Sequence, residues 1–321
     1  LLALACDGDG DGGSRDRPLK IVTTVAPITS LVENIGGTKI ELEGLVPESV
    51  NSHAFEPPSF AFPSLANADL IILNGLGLEE RTLELAASNK KDDAVILLLG
   101  DSAITPEEYK FSFSFPEAGG KPNPHLWLNP AMALEYAELI REQLVALDPD
   151  DQAYYDTNFA ELAKRIEHLD QQIRIAVQAV PAENRKLLTY HDSWPYWAER
   201  YGVEVIGAVQ PSDFSEPSAG EVAGLIEQIR EQEIPAIFGS EVFPSDVLET
   251  IAAETGAEYV DDLRDDDLPE EPGDPYHSYV GLMVRNMQIM ISALGGDATP
   301  LDRVLTDLVF SDGPSPAKYR Q

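Results

Sequence analysis

The sequence predicts an α/β protein of two lobes, each with a small parallel sheet, joined by one long rigid α-helix. Short continuous apolar runs are typical of strands that are buried on both faces. These runs alternate with helical stretches, which is the pattern of a parallel sheet covered by helices. A third observation is a long stretch in mid-chain with apolar residues at steps of three and four. The length of 321 residues also exceeds the size at which one core usually keeps growing.

The first lobe is predicted over residues 18–147. Its strands are read from "KIVTTVAPI" (20–28), "IELEGLV" (40–46), "DLIILNG" (69–75) and "AVILLLG" (94–100). A short helix, "SLVENIGG", lies between the first two strands and stops at Gly36 and Gly37. Gly and Pro end each run, as expected where the chain must turn.

The linker helix is predicted over residues 148–180, and it ends before Pro181. Its apolar stripe consists of Tyr155, Phe159, Leu162, Ile166, Leu169, Ile173 and Val177. A helix with such a stripe is amphipathic and stiff. The α/β pattern then restarts with "KLLTY" (186–190), "VEVIGAV" (203–209), "PAIFGS" (235–240) and "AEYVDDL" (257–263). The second lobe is therefore predicted over residues 181–321.

The first 17 residues are interpreted as a signal-peptide remnant, a lipidation site and a flexible tether. The apolar run "LLALA" precedes Cys6, the only cysteine of the chain. An apolar run ending in a small residue looks like the tail of a secretion signal. A cysteine at that junction resembles a bacterial lipobox, although Ala3 stands where Leu is usual. We expect an extracytoplasmic protein, periplasmic or on the cell surface, anchored to the membrane through lipidated Cys6.

Charge excludes one class of partner. The formal net charge is −34 at pH 7, and such a chain repels phosphate backbones. We therefore expect no nucleic-acid partner, and we expect a monomer.

Histidine is scarce, with five residues in the chain, and most of the candidate ligands follow strands. His53 lies after the strand 40–46, His191 directly after 186–190, and Asp274 after 257–263. His125 lies in the Pro-punctuated loop "KPNPHLWLNP". In open α/β sheets the carboxyl ends of strands are where ligands bind.

Three imidazoles and a carboxylate suit a borderline divalent cation, above all zinc. Each residue also has a local explanation, because a loop histidine can cap backbone groups. Asp274 precedes Pro275 and a helical run, so it can equally serve as a helix N-cap. Spacing alone therefore leaves the metal site and these local roles both open.

Five ordered motifs resemble the metal-specific solute-binding proteins of bacterial ABC transporters, the ZnuA/TroA-like group called cluster A-I. The likeness runs from Lys20 to about Leu294. The motifs are "SHAFEPPS" (52–59), "NPHLWLNP" (123–130), "TYHDSWPYWAERYG" (189–202), "SEPSAGE" (215–221) and "GDPYHSYVGLMVRN" (273–286). The resemblance implies metal ligands at His53, His125, His191 and Asp274 in the interlobe cleft.

The resemblance also implies that the protein captures an ion outside the cytoplasmic membrane and delivers it to a permease driven by an ATPase, without catalysis. His191 favours Zn2+ over Mn2+, because a third imidazole suits zinc and a second carboxylate suits manganese. The alternatives are a zinc-dependent hydrolase and a surface adhesin of the same fold.

Several positions near the predicted ligands have two interpretations. His277 is a substitute for Asp274 as a ligand, and Glu241 is a candidate carboxylate at the rim. Asp192 and Glu56 are candidates to orient imidazoles, or they cap local turns. The run "DDLRDDDLPEEPGD" (261–274) is interpreted as a solvated acidic loop, and the alternative is that it gathers cations near the cleft.

Overall fold

The computed structural model describes residues 17–59, 61–210, 216–240 and 246–319. The predictions for Cys6, the tether before residue 17 and Glu241 lie outside these ranges. The strands are β1 (Leu19–Thr23), β2 (Ile40–Gly44), β3 (Leu70–Leu73), β4 (Val95–Leu98), β5 (Lys186–Thr189), β6 (Glu204–Ala208), β7 (Ala236–Phe238), β8 (Glu258–Val260) and β9 (Ala317–Lys318).

The helices alternate with these strands through most of the chain. They are α1 (Ala26–Gly36), α2 (Ala61–Asn67), α3 (Glu80–Asn89), α4 (Leu99–Ala103), α5 (Pro130–Leu147), α6 (Gln152–Ala179), α7 (Pro195–Tyr201), α8 (Ala219–Gln232), α9 (Asp246–Thr255) and α10 (Tyr279–Ala293). Short 3-10 helices at Ser52–Ala54 and Leu126–Leu128 also bear on the site. Among the described helices, none combines the length and the apolar character that crossing a membrane would require.

The strands form two sheets. The first has the order β4-β3-β1-β2-β9 and the second β6-β5-β7-β8, and all pairings among the described strands are parallel. All four residues of β3 are buried, as the continuous apolar run requires. The predicted α/β class with two small parallel sheets and a long helix is confirmed.

The long helix α6 has 28 residues and ends at Ala179, before Pro181. The predicted stripe is buried from Tyr155 to Val177, except that Phe159 is only partly buried. The stripe packs α6 against α1, α5 and α10. The helix therefore packs against helices on either side of it in the chain.

The end of the chain differs from the sequence prediction, which assigned residues 181–321 to the second lobe. Strand β9 pairs with β2 in the first sheet. The segment before it is tied to α1, where Oδ1 of Asn34 accepts from N–H of Val309 at 3.0 Å. The hydroxyl of Tyr319 donates to Glu33 Oε2 at 2.7 Å. The last described residues therefore return to the first lobe.

One apolar cluster extends through both lobes. It contains Leu42 of the first sheet, Leu187 and Phe238 of the second, and the buried rings of Trp127 and Tyr279. The Tyr279 hydroxyl donates to the Trp127 carbonyl at 2.8 Å. Trp127 is thereby fixed between the lobes, beside the loop that carries His125.

Candidate metal centre

Three of the predicted ligands come together. His53 lies in the 3-10 helix after β2, His125 directly precedes the 3-10 helix Leu126–Leu128, and His191 follows β5. Their nitrogen ligand atoms all lie within 4.8 Å of one another. Nε2 of His125 is 3.2 Å from Nε2 of His53 and 3.0 Å from Nε2 of His191.

The loops hold these rings through short-range hydrogen bonds. N–H of His53 donates to Oδ1 of Asn51 at 2.9 Å, and N–H of His125 donates to Oδ1 of Asn123 at 3.1 Å. Asn side chains cap turns in this way by bonding backbone groups two residues on. The Pro-punctuated loop therefore fixes His125 in a buried position, with none of its surface exposed.

Two imidazoles are oriented by amide oxygens. Nδ1 of His125 donates to Oδ1 of Asn123 at 2.8 Å, and Nδ1 of His191 donates to Oε1 of Gln210 at 2.8 Å. Nδ2 of Asn123 donates to the Asp192 carbonyl at 2.5 Å. This hydrogen bond leaves Oδ1, rather than Nδ2, facing His125. Because Nδ1 carries the proton in both rings, each Nε2 directs a lone pair towards the other.

Burial sets the charge state of two of the three rings. Burial lowers the pKa of His53 and of His125 well below the ordinary value, and the neighbouring imidazoles lower both further. These rings are neutral at pH 7, which is the form that binds metal.

The spacing of the nitrogens fits a metal ion. Zinc–nitrogen bonds of about 2.0–2.1 Å in a tetrahedral shell place the nitrogens about 3.3 Å apart. The observed separations of 3.0 and 3.2 Å are close to this value. With His125 and His191 both protonated at Nδ1, their Nε2 lone pairs face one another at 3.0 Å and repel unless a cation lies between them, so the donor set fits a borderline divalent ion.

Carboxylates also reach the cluster, but not the one predicted. Asp265, Asp266 and Asp267 are each less than 5% exposed. Oδ2 of Asp265 lies 4.0 Å from Nε2 of His191. Asp266 Oδ2 accepts from N–H of Ser52 at 3.4 Å, next to His53. The interpretation of this run as solvated is therefore wrong for these three residues.

Burial of these carboxyl groups raises their pKa. Burial, together with the neighbouring Asp265, raises the pKa of Asp266 to about 7. Burial raises the pKa of Asp267 to about 6, although Ser49 N–H donates to its Oδ2 at 2.6 Å. A cation nearby would offset the cost of ionising them.

Asp274 lies apart from the three histidines. It is exposed, and its Oδ1 accepts from N–H of Tyr276 at 2.8 Å. The Asp274 carbonyl accepts from N–H of His277 at 3.0 Å, so this residue caps a turn before α10. The actual N-cap of that helix is Ser278. The prediction that Asp274 shares the cluster, and the alternative that it caps the helix, both differ from the structure.

His277 is not part of the cluster either. Its ring is buried, with Nδ1 3.2 Å from the Pro269 carbonyl oxygen and 3.1 Å from that of Glu270. It lines a separate cavity of about 260 Å³ together with Glu33 and Asp274.

Neither of the residues predicted to orient the imidazoles, Glu56 and Asp192, is hydrogen-bonded to a ring of the cluster. Glu56 is exposed, 4.0 Å from the Arg81 guanidinium. Asp192 is buried, and its Oδ2 accepts from N–H of Ser114 at 2.8 Å, which fixes the loop 112–114. Asn123 and Gln210 orient the rings instead. Gln210 follows β6, and no local sequence pattern distinguishes it.

Residues 21–293 match the family model described as ZnuA, zinc-uptake complex component A, periplasmic. The chain belongs to this family. The resemblance inferred from the five motifs is thereby confirmed, and the ZnuA family match covers both lobes.

Similar proteins in this group carry different metals in their names. The manganese-binding lipoprotein MntA of Halalkalibacterium halodurans is 27% identical over 295 residues, covering 92% of this chain and 95% of that protein. The iron-binding protein YfeA of Yersinia pestis is 28% identical over 295 residues, with 92% of both chains covered. The structure of the periplasmic zinc-binding protein TroA from Treponema pallidum matches with a TM-score of 0.78 and 27% identity, covering 87% of this chain and 99% of that one.

Proposed function

We propose that this protein captures Zn2+ outside the cytoplasmic membrane and delivers it to the permease of an ABC importer, which an ATPase drives. Membership of the ZnuA family supports this proposal, and so do the names of the similar proteins, which describe metal binding. These names favour capture over hydrolysis, the alternative raised by an open three-histidine site.

The observation that carries the proposal is the convergence of three Nε2 atoms at 3.0 and 3.2 Å. Two of the three rings have their Nδ1 proton engaged by an amide oxygen. The Nε2 lone pairs of these two rings therefore point to the centre of the cluster before an ion binds. Less conformational entropy is then lost on binding.

A carboxylate of the Asp265–Asp266 pair completes the shell in this proposal, in place of Asp274. Asp265 Oδ2 is 4.0 Å from His191 Nε2, so a shift of under about 1 Å would bring the oxygen to ligand spacing. An ionised carboxylate also reduces the net charge of the bound ion in a buried site. Single variants Asp265→Asn and Asp266→Asn distinguish the two candidates, because only loss of the ligand should weaken binding strongly.

Zinc is the ion that the donor set favours. Nitrogen-rich sites bind zinc more tightly than manganese or ferrous iron in the Irving–Williams order. Because the similar proteins are named for manganese, iron and zinc, family membership alone does not select the ion. We assign zinc on the three imidazoles, with Mn2+ as a weaker ligand.

Metal content tests the proposal directly. Protein purified without added metal or chelator should carry close to one zinc per chain by elemental analysis, and His53→Ala should weaken zinc binding at least tenfold, or about 1.4 kcal/mol. His168→Ala is the matched control, because His168 lies on α6 outside the cluster. A metal-free chain that binds no zinc in titration would refute the proposal.

Ion choice is tested by competition at neutral pH. In the wild type, zinc should displace manganese even when zinc is at far lower concentration. His191→Glu should reduce the difference in affinity between the two ions, because it replaces a nitrogen ligand with a harder oxygen ligand. Manganese displacing zinc at comparable concentration would contradict the assignment of zinc.

Delivery to a permease further implies that the protein is held outside the cytoplasm. We propose that lipidation of Cys6 anchors it there.

A further inference from the structure

Residues 111–115 form a loop that reaches the second-lobe histidine of the metal centre. The sequence of this loop, "FSFSF", alternates phenylalanine and serine. Phe111 and Phe113 are exposed, at 38% and 51%, whereas Ser114 is buried, with 4% of its surface exposed. Successive side chains of an extended segment point to opposite sides. The alternation therefore directs Ser114 into the protein, towards the segments that hold His191.

Ser114 makes two buried hydrogen bonds, one on each side of His191. Its N–H donates to Oδ2 of Asp192 at 2.8 Å, and Asp192 directly follows His191 in the chain. Its hydroxyl donates to the Gln210 carbonyl at 2.7 Å, and the side chain of Gln210 accepts from Nδ1 of His191. All four residues are at most 4% exposed, and hydrogen bonds are stronger in such surroundings than in water. One residue of the first lobe therefore holds both segments that position the ring of the second-lobe ligand.

The side chain of Gln210 depends on this support. Its Nε2 has no hydrogen-bond partner among the described residues, so the amide group is not fixed at both ends. Asn123, which has the same role for His125, is fixed in that way, because its Nδ2 donates to a backbone carbonyl. The direction of Gln210 Oε1 is therefore set by its backbone, whose N–H donates to the Tyr190 carbonyl at 2.9 Å and whose carbonyl accepts from Ser114. Loss of the Ser114 hydroxyl would remove one of these two backbone hydrogen bonds.

We propose that Ser114 is a positioning residue of the metal centre: its hydroxyl holds Gln210, and through Gln210 it keeps Nε2 of His191 directed at the ion. This inference rests on the proposed function of zinc capture. His191 comes from the second lobe, whereas His53 and His125 come from the first. The Ser114 hydroxyl therefore acts between the lobes, and it sets how the second-lobe ring faces the other two. Without it, the His191 ring is less well oriented and the ion is bound less tightly.

Nuclear magnetic resonance of metal-free protein with 15N-labelled histidine tests this role. The ring 15N shifts of His191 should show the proton at Nδ1 in the wild type, and a mixture of Nδ1 and Nε2 protonation in Ser114→Ala. Zinc affinity, measured by competition with a chromophoric chelator, should fall about two- to tenfold in this variant, the effect of one lost hydrogen bond. Ser278→Ala is the matched control, because it also removes a buried hydroxyl that donates to a backbone carbonyl, that of Thr306 at 2.5 Å. It should destabilise the fold and leave both the His191 shifts and the zinc affinity unchanged.

A double-mutant cycle shows whether Ser114 acts through Gln210. In a Gln210→Leu background, Ser114→Ala should weaken zinc binding by less than about twofold, because the side chain that it supports is already lost. Equal fold-losses in the two backgrounds, or His191 shifts that do not differ between the wild type and Ser114→Ala, overturn the proposal. Equal changes in Ser278→Ala would show general loosening of the fold, which also overturns it. A wild type that binds no zinc overturns the proposed function instead, and the comparison of His191 shifts, which needs no metal, still decides whether Ser114 orients the ring.

Discussion

Amide side chains hold the imidazoles of this centre where a carboxylate would make them more basic. Oδ1 of Asn123 accepts from His125, and Oε1 of Gln210 accepts from His191. An ionised acceptor increases the electron density at the opposite ring nitrogen and strengthens its bond to metal, typically by 10- to 100-fold in affinity. The neutral acceptors therefore favour an ion that is bound less tightly and released more readily.

We predict that Gln210→Glu increases zinc affinity about tenfold. The change preserves the oxygen that faces His191, and it removes a buried Nε2 for which no hydrogen-bond partner is found among the described residues. Affinity is measured by competition with a chromophoric chelator. Gln210→Leu is the matched control: it leaves the Nδ1 proton of His191 without its acceptor and should weaken binding. Equal affinity in all three proteins would show that Gln210 does not tune the site.

We expect a carboxyl group to contribute to the pH dependence of binding, and the rings of His53 and His125 not to. The pKa of Asp266 is raised to about 7, whereas burial holds those of His53 and His125 well below the ordinary value. At pH 6 the metal-free fold therefore carries a proton on Asp266 and none on those two rings. Zinc must displace that proton if the pair supplies a ligand.

We predict release of close to one proton per zinc at pH 6, falling towards none at pH 8 as Asp266 ionises. Affinity should decrease accordingly as the pH is lowered through 7. Calorimetric titrations in buffers of different ionisation enthalpy count the protons. Asp266→Asn should remove the release, and release that persists in this variant would assign the protons to the histidines.

That the three histidines lie together could be predicted from the sequence, whereas the buried aspartates beside them could not. Two of the histidines, His53 and His191, follow strands, and all three lie in short Pro- or Asn-marked loops that resemble a family motif. The rule that ligands follow strand ends also applied to Asp265, which comes soon after β8. The family motif, however, points to Asp274, and the run that contains Asp265 is interpreted as solvated because charge runs usually are. Burial of three consecutive aspartates depends on contacts with the loop 49–52, which no local pattern encodes.

At the scale of elements, a single aspartate fastens the long helix α6 to α7. Asp170 accepts from Nε and Nη2 of Arg200 at 2.7 and 2.9 Å, and from the Tyr201 hydroxyl at 2.6 Å. Burial would raise the pKa of Asp170, but the hydrogen bonds from Arg200 and Tyr201 outweigh it and lower the pKa. The linker helix thus holds the second lobe by charge-assisted bonds as well as by its apolar stripe.

We predict that Asp170→Asn lowers the free energy of unfolding by about 2 kcal/mol, the usual range for hydrogen bonds to charged groups. Asp156→Asn is the control on the same helix, because Asp156 is 40% exposed and pairs with Arg141; exposed pairs contribute under about 1 kcal/mol. Chemical denaturation measures both. An equal decrease in the free energy of unfolding in the two variants would show that the Asp170 hydrogen bonds contribute no more to stability than an exposed ion pair.

Elements with a strong local pattern were predictable, and those that depend on distant partners were not. The stripe of α6 and the apolar runs of β3 and β4 follow from residue spacing alone. Strand β9 has two residues, Ala317 and Lys318, and exists only because β2 offers an unpaired edge. Its position also overturned the predicted boundary of the second lobe at the chain end. Pairing between residues separated by most of the chain leaves no local signal.

At the scale of the whole molecule, the lobes are held together on several sides. Helix α6 packs on α1 and α10, β9 returns to the first sheet, and the apolar cluster continues from Leu42 to Phe238. Large hinge motions are expected where few contacts cross between domains. Here opening the lobes would expose buried Trp127 and Tyr279, which costs several kcal/mol of apolar burial. Zinc should therefore bind without a large closure.

We predict that zinc stabilises the fold strongly and moves the lobes little. At a free zinc concentration 100-fold above Kd, binding to the native state alone adds about 2.7 kcal/mol to the free energy of unfolding, so Tm should rise by several degrees.

The movement of the lobes is measured separately. In a Cys6→Ala background, spin labels at Glu84→Cys on α3 and Glu227→Cys on α8 report the distance between lobes by pulsed electron resonance. That distance should change by less than about 2 Å on zinc addition. His53→Ala should reduce the Tm rise and leave the distance unchanged. A shift of many ångströms in the wild type, absent in His53→Ala, would instead show a closing hinge and would require the shared core to separate.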